Sequence, residues 1–485
     1  MHRLTALTAF LTSLAATATA QQTPASIDTL ALRAHTYFLS HDLLEGRGTG
    51  TRGGRVASLY LATAAARIGL TGAIAGGFYQ DVPLEAATID TVATTLTLTA
   101  RGPSGESRTV FHAPAEFLPN AGTAATLVSF AGSVVYLGSA SDVLAHADRL
   151  PPLAGRVALM AGTLGGFAAA ADTLRAHGAT GILQGVATAS QYDLFVASRG
   201  LTRMYARSED TATSFAASLP AVLVHPDVVR RLIAGADTFR VQVTESLATR
   251  TLPARNVVAL VRGSDPALRG EVVVFSAHYD HLGFSTPDAS GDSIYNGFSD
   301  NAAGSAMLLA IAQVVAASPP PRSVLFLWTT GEEMGLLGSD WFVAHPAVPL
   351  DSIVAVINLD AGAPPGLVVT WNVQGGVHSS LGPTAAEVAH RHGWEVHLQP
   401  ATPNSDHYPF HRAGIPTAFL VPAPAAYEGM TTEASRALQR HWDHYHQPAD
   451  EWRGDFPFAG LARYAGFALE LGLEVARGPR PAITR

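Results

Sequence analysis

From Asn256 to the end of the chain, short apolar runs alternate with helical stretches, and this restricts the fold more than any other feature. Residues 256–261, 271–277, 323–329, 353–358, 366–371 and 416–421 read as strands, and 302–316, 337–344, 381–392 and 458–476 as helices. A strand as continuously apolar as Val272-Val273-Val274-Phe275 belongs in a sheet covered on both faces. The expectation is a three-layer α/β/α domain with a mixed, mostly parallel sheet. Ligands of such sheets gather beyond the carboxyl ends of the strands.

The earlier chain divides differently. Residues from about 26 to 80 show helical spacing, interrupted by the glycine-rich turn Leu44-Glu45-Gly46-Arg47-Gly48-Thr49-Gly50-Thr51, and 92–100 alternates as a strand does. Gly46-Arg47-Gly48 reads as a turn between helices; a place at the rim of a site is the second reading. From about 115 to 247, short strands (132–137, 156–160, 220–224) and one helix (167–177) are separated by Gly/Ala-rich turns. This reads as a module inserted between 21–114 and 248–485, which together form the main domain. His2 and Arg3, an apolar run to Ala16 and Ala18-Thr19-Ala20 read as an export signal over 1–20. That run is too short to span a bilayer, so no stable membrane insertion is expected. A net charge of −8 offers no basic stripe for nucleic acid, and the absence of cysteine excludes thiolate metal sites and cysteine nucleophiles.

Polar groups stand where successive strands end. His278-Tyr279-Asp280-His281 follows the first apolar strand, and Ser299-Asp300-Asn301-Ala302-Ala303-Gly304 opens a helix. Gly331-Glu332-Glu333-Met334-Gly335 and Asn358-Leu359-Asp360 follow the next two strands. Each alone is an ordinary cap or surface pair. Placed at one edge of one sheet they converge on a single crevice. Imidazole and carboxylate donors suit zinc. Asp280, two residues after His278, fits a carboxylate orienting a metal-bound imidazole. The pair Glu332-Glu333 suits one metal ligand and one base. Among His441, His444 and His446, the residues alone leave the ligand open.

These segments, with Ser405-Asp406-His407-Tyr408-Pro409-Phe410 and Tyr445-His446-Gln447-Pro448-Ala449-Asp450, resemble the di-zinc aminopeptidase family, which includes bacterial leucyl aminopeptidases, glutamate carboxypeptidase and the transferrin receptor. Residues 115–247 resemble the β-rich α/β protease-associated domain that many members carry. The resemblance implies two Zn²⁺ ions, one held by His278 and Asp360, the other by Glu333 and His446, with Asp300 bridging. It implies a metal-bridging water as nucleophile, Glu332 as general base and Tyr445 as donor to the oxyanion. His446 is favoured by its Tyr-His-x-Pro-x-Asp setting, with Asp450 placed to support it. Asp406 and His407 are expected to line the substrate pocket, and His281 to lie outside the ligand set, beside it or facing solvent. A cis peptide between Asp300 and Asn301 is also implied. Three carboxylates and a hydroxide against two Zn²⁺ leave the ligand set formally neutral, and a two-metal clamp spaces its ions by roughly 3.5–4 Å.

The implied activity is removal of N-terminal residues from peptides by an exported enzyme, periplasmic or secreted. A carboxypeptidase would need arginines to clamp the substrate carboxylate. Between Gly362 and Pro424 only Arg391 and Arg412 are present, both in predicted helices. A glutaminyl cyclase uses one zinc, and an inactive receptor-like relative would lack ligands; the full set is present here.

Overall fold

The computed structural model describes residues 27–484 apart from 103–104, 120–128, 164, 200, 207–218 and 285–286. The expected export signal over 1–20 lies outside these residues.

The large sheet runs in the order Glu395–Gln399, Thr370–Gln374, Thr417–Pro422, Ile353–Asn358, Val272–His278, Ser323–Thr329, Leu247–Val261, Tyr79–Ile89, Thr202–Ala206. Thr417–Pro422 through Ser323–Thr329 are parallel neighbours, and antiparallel pairing carries the sheet outward on both sides, with Glu395–Gln399 then lying parallel to Thr370–Gln374 at one edge. Both faces are covered, and the strands show it in their alternation. Val273, Phe275, Val324, Phe326 and Trp328 enter one core; Val272, Val274, Leu325 and Leu327 enter the other. Helices Arg52–Ile68, Ala303–Ala317 and Ala459–Arg477 close the first face, and Leu337–Ala344 and His407–Arg412 close the second. The three-layer α/β/α expectation holds. The helical stretch Phe298–Ala317 is long and apolar enough to cross a bilayer, but its window is 78% buried inside the protein as the central core helix.

A second sheet has the order Gly105–His112, Thr95–Gly102, Phe239–Thr244, Ser129–Tyr136, Arg156–Ala161, Gly181–Gly185, Ala221–Val224, Phe117–Pro119. It begins at Thr95 rather than at 115. Thr95–Gly102 pairs with Phe239–Thr244, and Leu96 and Leu98 enter the second sheet's core, so this stretch belongs with the later strands and not with the main domain. Thr202–Ala206, from the middle of the module, returns to pair with Tyr79–Ile89 of the large sheet. The strand expected over 366–371 sits instead at Thr370–Gln374, because Pro364-Pro365-Gly366 keeps the chain out of the ladder until it has passed the cavity wall.

Arg47 is fully buried and serves neither a turn alone nor the rim of a site. Its guanidinium donates to the carbonyl oxygens of Tyr279 (2.8 Å), Leu39 (2.5 Å), Asn296 (2.5 Å) and Gly297 (2.9 Å). It thereby ties the first helix to the loops on either side of the metal-type motifs. Burial lowers its pKa to about 10, so it stays charged at neutral pH. Arg47→Met would leave the carbonyls of Tyr279, Leu39 and Asn296 without this donor, while Gly297 keeps the Ala302 amide, and each unpaired buried carbonyl costs about 1–3 kcal/mol. We expect a loss of at least ~3 kcal/mol by urea unfolding; a change below ~0.5 kcal/mol would refute this role.

Candidate metal centre

His278 ends the strand Val272–His278, and Asp360 lies two residues beyond Ile353–Asn358. Glu332 and Glu333 follow Ser323–Thr329, across the left-handed turn at Gly331. Asp300 sits in the turn Phe298–Ala302, and its peptide bond to Asn301 is cis. That turn packs tightly: a Cβ on Gly304 would come within 2.2 Å of both Asn301 Oδ1 and Leu359 O, so glycine is required there. His446 arrives from the loop after Thr432–Trp442 with φ of 54°.

Two groups of potential metal donors result, His278 with Glu332 and Asp360, and His281 with Asp300, Glu333 and His446. Within each group the donor atoms lie within 4.8 Å of one another. Asp300 joins the groups. Its Oδ1 is 3.2 Å from His278 Nε2, while its Oδ2 is 3.0 Å from His446 Nε2. His278 Nε2 also reaches Asp360 Oδ1 at 2.7 Å, and His446 Nε2 reaches Glu333 Oε2 at 3.2 Å. Glu332 Oε2 stands back, 4.0 Å from His278 Nε2.

Several expected supports work differently. His278 Nδ1 lies 3.1 Å from the backbone carbonyl of Asp280 and 3.9 Å from its carboxylate. That carboxylate is instead held by the Thr49 hydroxyl (2.6 Å) and the Glu332 amide (3.4 Å), so it steadies the Glu332 turn as well. Asp450 does not support His446. It accepts from the amides of Ser299 (2.9 Å) and Asp300 (3.1 Å), because the turn into the core helix presents unpaired N–H groups to it. Asp406 and His407 do not line the pocket. Both are fully buried in the first turn of a helix on the far face of the sheet, where Asp406 accepts from Thr329 and His407 packs on Phe419. His281 is buried rather than solvent-facing, with Nδ1 2.6 Å from Glu333 Oε1. Sequence reasoning passed over Ser405 as a site residue: its hydroxyl donates to Asp360 and accepts from Asn358 Nδ2 at 2.7 Å, and Asn358 Oδ1 accepts from Ser276 at 2.8 Å. Its place in the quoted Ser-Asp-His motif was the available signal. His441 lies instead beside Arg453, 3.3 Å from its guanidinium.

The electrostatics follow from four largely buried carboxylates sharing one site. Burial raises Glu332 well above the carboxylate range, and the charges of Asp360, Asp406 and Glu333 add to this against the pull of His278. Burial also acts on Asp300, but hydrogen bonds from His278 and His446 overcome it and hold Asp300 low. Burial alone would lower His446; Asp300 and Glu333 instead push it up to about 10. Burial takes His407 down to about 3, leaving it neutral behind the site. Asp300, Glu332, Glu333 and Asp360 thus face one another with only imidazoles between them, which is unfavourable unless cations join them. The nitrogen and oxygen donors fit zinc.

The site opens into a cavity of about 520 Å³. Ala363, Pro364, Pro365, Phe419, Tyr427 and Trp442 form apolar walls, and Tyr445 and Asp443 stand among the polar ones. Among the described residues lining it there is no Lys or Arg.

At the carboxyl edge of its sheet this three-layer α/β protein gathers two neighbouring imidazole–carboxylate groups, each with the donors to hold a metal ion. Residues 256–464, which carry every member of both groups, match the family model described as Peptidase family M28. It is similar to aminopeptidase YwaD of Bacillus subtilis, 28% identical over 160 residues, or 31% of this chain and 32% of that protein. The match thus spans about a third of that relative's length. Among solved structures, the aminopeptidase from Aneurinibacillus sp. strain AM-1 superposes with a TM-score of 0.58 at 17% identity, covering 95% of this chain and 97% of that one. BSAP, a zinc aminopeptidase from Bacillus subtilis, gives 0.50 at 18%, covering 93% and 95%. At these identities the superpositions bear on the fold alone.

Proposed function

We propose that the chain is an exported zinc aminopeptidase that binds two ions and releases single residues from peptide N-termini. The observation that carries this reading is Asp300, whose two oxygens face His278 and His446 at 3.2 and 3.0 Å in a cavity without a basic wall. His278 and Asp360 would hold one zinc, and Glu333 and His446 the other, with Asp300 between them. Bound there, zinc lowers the pKa of water toward about 7 and polarises the scissile carbonyl.

The chain's own residues do the rest. Glu332, standing 4.0 Å back from His278, takes the proton from the attacking water and delivers it to the leaving amine. Tyr445 donates a hydrogen bond to the oxyanion. Burial and the charges of Asp300 and Glu333 raise its phenol, so it remains a donor at neutral pH. Its ring stacks on His446 at 3.8 Å between centroids, which orients it. Asp450 fixes the Asp300 turn. The apolar walls exclude water and receive the side chain of the cleaved residue.

The arginines that a carboxypeptidase would use are engaged elsewhere, Arg391 with Glu474 (2.7 Å) and Arg412 with Asp340. Tripeptides blocked at one end decide between the two exopeptidases. A C-terminally amidated substrate should be cut and its N-acetylated counterpart should not; the reverse pattern would make the enzyme a carboxypeptidase.

Ser405→Ala removes the hydroxyl that holds Asp360 in place. We expect zinc at the His278–Asp360 position to weaken about tenfold or more in a competition titration against a chelator. Unchanged affinity would show that Asp360 needs no such support.

A further inference from the structure

A smaller cavity of about 190 Å³ lies where the turn after Thr29–Leu39 meets the segment following Asp450. It is lined by Tyr37, His41, Asp42, Asn296, Glu451 and Trp452, none of which belongs to the metal centre or lines the larger cavity. Three of these are rings set edge to face. Tyr37 lies 4.9 Å from Trp452 and 5.4 Å from His41 between centroids, and Tyr37 is 49% exposed.

The remaining polar groups are left short of positive charge. Glu451 stands beside Asp292, with Asp42 and Asp288 near, and burial together with these acids raises its carboxyl above the ordinary range. The neighbouring arginines are used elsewhere. Arg33 donates to the Gly454 carbonyl at 2.7 Å and lies over Phe458, and Arg453 lies over Trp442 and donates to Asp455. Asn296 is only 2% exposed, and its Nδ2 is spent on Ser40 O (2.9 Å) and Asp42 Oδ1 (2.8 Å). Its Oδ1 has no partner among the described residues. A buried acceptor without a donor is costly, so this oxygen calls for a donor from outside the chain.

A metal ion would want six or more oxygens around a small volume. This cavity is larger than that, and three of its seven lining residues are aromatic, a surface that attracts organic cations. We propose that the cavity binds a guanidinium or primary ammonium group, whose N–H donors meet Asn296 Oδ1, Asp42 and Glu451 while its carbon stem lies against Tyr37 and Trp452. A free amine and a basic side chain of a larger ligand both carry such a group. It would join the segment before the Asp300 turn to the segment after Asp450.

The test uses the zinc-loaded full chain and n-butylguanidinium and n-butylammonium as probes, followed by calorimetry and by tryptophan fluorescence, since Trp452 lines the site. Saturable binding is expected, with the neutral isostere n-butylurea inert. Glu451→Gln and Asp42→Asn should each weaken binding about tenfold or more, and Tyr37→Leu about threefold. Glu451 is exposed, and an amide oxygen at position 42 would still accept from Asn296, so both variants should fold as the parent does, checked by thermal unfolding. Absence of saturable binding, or affinity unchanged in both carboxylate variants, overturns the proposal. So does displacement of the probes by calcium with terbium luminescence sensitised at the same place, which would make the cavity a metal site.

Discussion

Glu332→Gln should lower kcat by about a thousandfold while both zinc ions stay bound. A positioned general base contributes roughly 10²–10⁴ in rate, and glutamine keeps the shape of glutamate while losing its ability to take a proton. The geometry separates Glu332 from its neighbour. Glu333 reaches two imidazoles, His281 at 2.6 Å and His446 at 3.2 Å, whereas Glu332 Oε2 remains 4.0 Å from His278. Its position is set from behind, by the Asp280 carboxylate on its amide, so the substitution leaves the turn in place. Metal analysis and steady-state kinetics on the same preparation check this. Loss of zinc with the activity would mean that the two glutamates have exchanged roles, and Glu333→Gln would then be the variant that keeps its metal.

Asp300→Ala should be more drastic, removing zinc from both positions and leaving activity at least ~10³-fold down. Among the described residues no other carboxylate has one oxygen directed to His278 and the other to His446. Without it, each position keeps a single imidazole and carboxylate from the proposed ligand set. The backbone of the turn is held independently, by the Asp450 carboxylate on the amides of Ser299 and Asp300 and by Asn301 Nδ2 on the Leu359 carbonyl at 3.0 Å. The variant should therefore fold, with unchanged circular dichroism and less than one zinc per chain after dialysis. A dialysed variant that retains two ions would show that Asp300 is not the bridge.

The parts of the molecule legible in sequence are those where one physical demand dominates. Val272–His278 and Ser323–Thr329 are apolar on both faces because helices cover both, so their runs announce a buried sheet. His278, Glu332, Glu333 and Asp360 follow such runs closely and Asp300 opens the apolar core helix, so polar residues there are conspicuous. The less legible parts depend on groups that a side-chain pattern does not display. The true partners of Asp450 are backbone amides, and Arg47 is bonded wholly to carbonyl oxygens. Asp406 and His407 occupy a motif as polar as the others, yet the motif does not say which face of the sheet its helix covers. Thr95–Gly102 alternates as a strand in either sheet would, and only its pairing with Phe239–Thr244 assigns it. Thr432–Trp442 is polar along most of its length, so no apolar run marks it despite its helical periodicity, although Trp442 and Gln439 line the larger cavity.

The central claim is a two-zinc aminopeptidase, and stepwise reconstitution tests it most directly. Protein stripped with a chelator should be inert toward aminoacyl-p-nitroanilides, and activity should return with added Zn²⁺ until two equivalents per chain are bound. Activity that survives the chelator, full activity at one equivalent, or no hydrolysis of any aminoacyl-nitroanilide at two equivalents would contradict the account.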